Sequence, residues 1–174
     1  MFCLVRHRET EFTRSLASFA PKTRTVIAEF DASLSGAGLI WYARMGGTEV
    51  ARGVGAVSLD FLRFGDDSSY QNLSEFIGAI LAVVGQVVLG QAGSSLALRG
   101  DSVTALTLSI TERSRGTIVT NAAMVCTLLC VSTDVDVREV TQIPGEDNKN
   151  CDCLSRRGAS PACTLSSSQK YRMS

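Results

Sequence analysis

The chain has a single histidine, His7, in 174 residues. A Ser-His-Asp or Cys-His arrangement is therefore not expected, because the one imidazole lies in an irregular N-terminal stretch. Net charge is zero, from 17 basic and 17 acidic side chains. The global basic signature of a nucleic-acid binder is missing. Long hydrophobic runs are missing too. The longest, Phe76–Leu89, is short for a membrane span and contains Gly78, Gly85 and Gln86. It reads as a buried core helix, and no membrane partner is expected. The N-terminus is charged from Arg6 onward, so no secretory signal is expected. No internal repeat is visible.

Histidine is also missing near the cysteines. Cys151, Cys153 and Cys163 fit no common zinc module, so zinc is not expected. Cys126 and Cys130 sit four apart in an apolar run and should face a core. With Cys3, all six are expected to be reduced thiols in an intracellular protein of the cytoplasm or nucleus.

What is present is ordinary for a globular protein: 45% apolar and 20% charged residues. One domain over residues 25–157 accounts for the core. Residues 1–24 read as an N-terminal linker or tail and residues 158–174 as a flexible C-terminal tail. Both are rich in Ser, Thr and basic side chains, whereas the body is mildly acidic.

Thr25–Phe30 reads as a buried strand. Ser35–Gly38 reads as a turn, and Leu39–Arg44 as a second strand. Gly46-Gly47 turns the chain into a third strand, Glu49–Leu59, weakened by Gly53 and Gly55. Short turns between three strands predict an antiparallel meander. A polar loop, Gly65–Asn72, leads to a helix capped near Ser74 and running to Leu89. A short strand Leu96–Arg99, helices over Ser102–Ser109 and Thr117–Val131, a strand Val135–Gln142 and a last helix Glu146–Arg156 follow. The expected class is α/β: a five-stranded mixed sheet, the meander plus two further strands, with helices on both faces.

Four acids stand in distinctive settings. Asp31 ends the first strand. Glu75 lies in the first turn of the first helix. Asp101 follows the fourth strand. Asp152 rides on the last helix. In a mixed sheet, strand ends aim side chains at a shared crevice. Each acid alone has an ordinary explanation, as a turn residue, a helix-dipole partner or a cap. Their joint order points instead to a metal-dependent nuclease core. Two hard divalent ions held by carboxylates would activate the attacking water and stabilise the leaving oxygen.

At these residues the chain resembles the ribonuclease H domain of retroelement reverse-transcriptase polyproteins, of the gypsy or DIRS type. Asp31-Ala32-Ser33 with Gly36 and Gly38 is similar to the family's first motif. Asn72-x-x-Glu75 is similar to its second, and Gly100-Asp101-Ser102 to its third. Ile143-Pro144-Gly145-x-x-Asn148-x-x-x-Asp152-x-Leu154-Ser155-Arg156 resembles the fourth and is the most specific. The resemblance covers about Thr25 to Arg157. It implies an RNase H-like fold and hydrolysis of the RNA strand of an RNA–DNA hybrid. It implies two Mg²⁺ ions, with Mn²⁺ able to substitute, on Asp31, Glu75, Asp101 and Asp152. It also implies that Asn72 contacts the hybrid's minor groove, where 2′-hydroxyls separate RNA from DNA. Ser33 and Gln142 would stand near the substrate. The implied partners are the hybrid and an adjoining reverse-transcriptase domain.

One departure is plain. The family usually has His where Gln142 stands, and Gln hydrogen-bonds but shuttles no proton. Slower turnover is the expectation. A catalytically weak or inactive scaffold module beside a reverse transcriptase is the alternative. An integrase or resolvase on the same fold is disfavoured by Asn72-x-x-Glu75 and the Pro-Gly-x-x-Asn motif. Of the remaining features, Trp41 is expected in the core. Arg99, Arg113 and Arg115 are read as phosphate ligands or solvated surface. Asp66-Asp67 reads as loop, and Asn148 as a cap of the last helix.

Overall fold

The structure, a computed structural model, describes residues 22, 24–62, 69–111 and 117–157. Five strands form one sheet: β1 (Thr25–Ala32), β2 (Gly36–Met45), β3 (Thr48–Ser58), β4 (Ser95–Gly100) and β5 (Asp136–Gln142). Their order is β3-β2-β1-β4-β5. The β1–β2 and β2–β3 pairs are antiparallel, while β1–β4 and β4–β5 are parallel. The helices are α1 (Ser69–Val88), α2 (Val103–Thr111), α3 (Thr117–Thr133) and α4 (Lys149–Arg157). The three-strand meander and two further strands are as predicted, and the structure adds their order and the parallel pairing of the last two.

The period-2 alternation of strands sorts the core into two faces. Val26, Ala28 and Phe30 of β1, Leu39 and Trp41 of β2, and Leu96 and Leu98 of β4 point to one face. There they meet Phe76, Ala79, Ala82 and Val83 of α1, Leu106 of α2 and Cys126 of α3. The 3–4 residue spacing of the α1 set is the amphipathic helical period. Ile27, Ile40, Tyr42 and Ala97 point to the other face, against Cys151 and Leu154 of α4. Helix α1 passes the length and hydropathy test for a bilayer span. Its buried stripe against the sheet identifies it as a core helix of this domain.

Several sequence boundaries shift for physical reasons. Helix α1 starts at Ser69, so Asn72 lies within it and Glu75 falls in its second turn. Ser74 is buried inside the helix, with its hydroxyl on the Gln71 carbonyl at 2.8 Å, and caps nothing. Strand β2 starts at Gly36, and the turn is confined to Ser33–Ser35. Glycine is required there because α4 lies directly on the β2 backbone. A Cβ on Gly38 would stand 2.2 Å from the Cys151 carbonyl oxygen, and one on Gly36 would stand 2.5 Å from that of Ser155. Residues 145–147 form a turn, so α4 starts at Lys149.

Gly53 and Gly55 are likewise a fit, not a weakness. Trp41 is buried, and its Nε1 donates to the Ala82 carbonyl of α1 at 3.0 Å. Its ring lies over both β3 glycines and against Gly85 of α1, where a Cβ would come within 2.0 Å. Asp66-Asp67, Arg113, Arg115, Cys3, Cys163 and nearly all of both tails lie outside the described residues.

Candidate active site

The side-chain alternation that sends Phe30 to the three-helix face sends Asp31 to the α4 face. Asp31 is the penultimate residue of β1, opposite Gly38. Its carboxylate is half-buried, and its Oδ2 accepts a 2.6 Å hydrogen bond from Ser155 Oγ of α4. Burial holds the Asp31 pKa above the usual carboxylate value, and the Ser155 bond opposes that shift. The charges of Asp101 and Asp152 add to the rise, while Arg156 counters it. Carboxylates from the end of β4 and from α4 thus act on Asp31 of β1 at one end of the sheet.

Asp101 is the exposed residue directly after β4. Its Oδ2 faces Gly145, where a Cβ would stand 3.4 Å away, and its carbonyl accepts from Gln142 Nε2 at 3.4 Å. Gln142 is exposed and ends β5, paired with Gly100. Asp152 lies in the first turn of α4 and binds Arg156 Nε at 2.5 Å, one turn on. Glu75 lies on α1, which packs on the opposite face of the sheet, and is linked to the end of β1. Gln71 makes that link: its Nε2 donates to the Ala32 carbonyl at 2.9 Å and to Glu75 Oε1 at 3.0 Å. Asn72 is exposed one turn before Glu75.

Three of the four acids are engaged by a donor of the chain itself: Asp31 by Ser155, Asp152 by Arg156, Glu75 by Gln71. Among the described residues, no three Asp, Glu, His or Cys side chains stand close enough together to hold one metal ion. The donor chemistry still fits a hard divalent cation, since every group is a carboxylate oxygen. The mutual repulsion felt by Asp31 is the electrostatic condition that a cation relieves.

Ser33 is committed to the turn. Its Oγ accepts from the Gly36 and Ser35 amides at 3.2 and 3.3 Å, and lies 3.2 Å from the Ser155 carbonyl. Asn148 does not cap α4 with its side chain. It is buried, and its Nδ2 donates to the Phe30 carbonyl at 2.9 Å, which ties the Pro144–Asn148 turn to the residue before Asp31. Its Oδ1 is buried without a partner among the described residues. Arg99 holds no free phosphate position: it takes both Glu49 oxygens, at 2.7 and 2.8 Å, and lies 3.6 Å from Glu29. Cys151 is buried under the site, and burial pushes its thiol pKa far up, helped by the charges of Glu29, Asp31 and Asp101.

Sequence reasoning assigned no role to Ser155, Gln71 or Gly38. Ser155 and Gly38 lie within recognised motifs, but only the packing of α4 on β2 reveals their contacts.

No protein-family model matches the chain, and no curated protein sequence matches it. Solved structures do. RNase H1 of the archaeon Halobacterium salinarum NRC-1 superposes with a TM-score of 0.56 at 19% identity, over 75% of this chain and 93% of that one. LC11-RNase H1, isolated from compost and solved with an RNA/DNA hybrid, gives 0.53 at 14% identity, over 75% and 91%. Prototype foamy virus protease-reverse transcriptase gives 0.51 at 10% identity, over 78% of this chain and 21% of the viral one. The fold is RNase H-like. The five-stranded mixed sheet with helices on both faces is shared with these structures.

Proposed function

We propose that the chain is a ribonuclease H domain of a gypsy- or DIRS-like reverse-transcriptase polyprotein. It hydrolyses the RNA strand of RNA–DNA hybrids during reverse transcription, inside the cell, beside an adjoining polymerase domain. The observation that carries this reading is Asp31: a half-buried carboxylate at the end of the central strand, its pKa raised by burial and, to a lesser extent, by the charges of Asp101 and Asp152. On an RNase H-like sheet, a strand-end carboxylate repelled by two others supports hydrolysis assisted by metal ions.

Asp31, Glu75, Asp101 and Asp152 would hold two Mg²⁺ ions, or Mn²⁺ in their place. The ions, when bound, supply an activated water and charge neutralisation at the leaving oxygen. The chain's own residues do the rest. Ser155 fixes the orientation of Asp31. Gln71 holds Glu75 beside the end of β1. Asn148 fixes the turn that leads into α4 and Asp152. Asn72, exposed on α1, contacts the hybrid's minor groove, and Ser33 shapes the rim through its turn.

A second reading has its own observation. Asp152 is paired with Arg156, and no three of these acids converge on one point. This fits a weak or inactive scaffold module. Cleavage of a labelled RNA–DNA hybrid in Mg²⁺ and in Mn²⁺ separates the two readings. RNA-strand cleavage abolished by Asp31→Asn supports the nuclease. No cleavage in either metal, with a polymerase domain supplied, supports the scaffold.

A further inference from the structure

A groove of about 800 Å³ opens at the other end of the sheet. Arg24 before β1, Arg44 at the end of β2 and Arg52 of β3 line it, with Trp41, Leu89 and Gln91. It lies near Val26, five residues from Asp31 along β1, or roughly 16 Å at the rise of a strand. It is therefore a separate place from the carboxylate end.

The groove is built by the fold. The β2–β3 register shifts at Trp41/Tyr42, where Tyr42 pairs with Ala51 and Trp41 with Gly53. Arg52 is the extra residue of this bulge, and bulges re-aim side chains. The Trp41 indole is held by its bond to Ala82 and gives an aromatic wall. Leu89 adds an apolar one. The volume and mixed lining match a small-molecule site.

Its charge is one-sided. No described carboxylate lines the groove. Glu49 has both oxygens taken by Arg99 and also pairs with Arg44 at 3.5 Å. Arg52 Nη2 meets Met45 Sδ at 2.6 Å, a weak acceptor that satisfies little of a guanidinium. Guanidinium groups grip phosphate oxygens in a planar fork. Gln91 Oε1 is buried with no partner among the described residues, so it is free to accept from a hydroxyl or amino group.

We infer that this groove binds a nucleoside phosphate, with the phosphate on Arg44 and Arg52 and the nucleoside against the apolar wall beside Gln91. This site is independent of the nuclease reading.

Trp41 is the only tryptophan of the chain, so its fluorescence reports on the groove directly. Adenosine 5′-monophosphate and inorganic phosphate are titrated at constant ionic strength into the full chain, its Asp31→Asn variant and its Arg52→Gln variant. Circular dichroism and melting confirm that each variant is folded. The expected result is a saturable change with the nucleotide, unchanged by Asp31→Asn and at least tenfold weaker in Arg52→Gln. Inorganic phosphate should bind at least tenfold more weakly than the nucleotide. The inference is overturned by the lack of a saturable change up to about 10 mM, a concentration at which binding is negligible as recognition. It is equally overturned if folded Arg52→Gln and an Arg44→Gln/Arg52→Gln double variant bind as the parent does, or if phosphate alone binds as tightly as the nucleotide.

Discussion

Ser155 Oγ stands 2.6 Å from Asp31 Oδ2 and joins the last helix to the central strand at the candidate active site. The bond acts on charge as well as position, because a donor to the ionised form lowers a carboxylate pKa. Ser155→Ala should therefore leave the fold intact and raise the Asp31 pKa further. Groups that orient metal-binding carboxylates contribute about 10–100-fold to affinity or activity. Hybrid cleavage should fall by at least tenfold, and the acid limb of its pH profile should move to higher pH. An unshifted profile would remove Ser155 from the mechanism.

Asp31 itself should weaken the fold at neutral pH. Its folded pKa lies above the ordinary value, mainly through burial. The folded state then holds the proton more tightly than the unfolded chain. This contribution is fully present below the unfolded pKa and is lost as pH rises through the folded one. Asp31→Asn keeps an acceptor for Ser155 and removes the buried charge. Its melting temperature in chelator should exceed the parent's by a few degrees at pH 7, with the gap closing as pH falls below the carboxylate range. Adding Mg²⁺ should raise the parent's Tm and leave the variant's unchanged.

The approach of α4 to β2 gives a steric test. Alanine at Gly38 would put a Cβ 2.2 Å from the Cys151 carbonyl and 2.6 Å from Leu154 Cβ. Overpacking of this kind costs about 1–3 kcal/mol, seen as a lower denaturant midpoint. Since α4 carries Asp152 and Ser155, Gly38→Ala should also lose cleavage beyond its loss of stability. Gly85→Ala, 2.0 Å from the Trp41 ring, should destabilise comparably yet retain cleavage under folding conditions. Equal activity in the two variants would show that α4 seating is irrelevant to the chemistry.

Gln142 ends β5 with its Nε2 3.4 Å from the Asp101 carbonyl, so an imidazole there would sit beside the carboxylates. Gln142→His introduces a group that titrates near neutrality. Turnover of the hybrid should rise about tenfold or more, with a new bell-shaped pH dependence. No gain in any metal would favour the scaffold reading.

Local pattern was enough for the strands, the helices and their order. β1 carries apolar residues on both faces, Val26, Ile27, Ala28 and Phe30, because both faces are covered, and α1 shows the helical period. Asp31, Asp101 and Asp152 could be singled out because each lies at a strand end or in a motif, and their role as metal ligands belongs to the proposal. Other features needed the assembled molecule. Gly38 looked like a turn residue and Gly53 like a weak strand position, yet they are where a helix and an indole approach the backbone. Asn148 looked like a cap and instead reaches Phe30, 118 residues away. Arg99 looked free and is paired across the sheet with Glu49. Local sequence determined the elements, because backbone hydrogen bonding and hydrophobic period act over a few residues. Only tertiary structure decided which donor each carboxylate meets, which glycine is a contact surface and where three arginines gather, because those depend on groups brought together from distant parts of the chain.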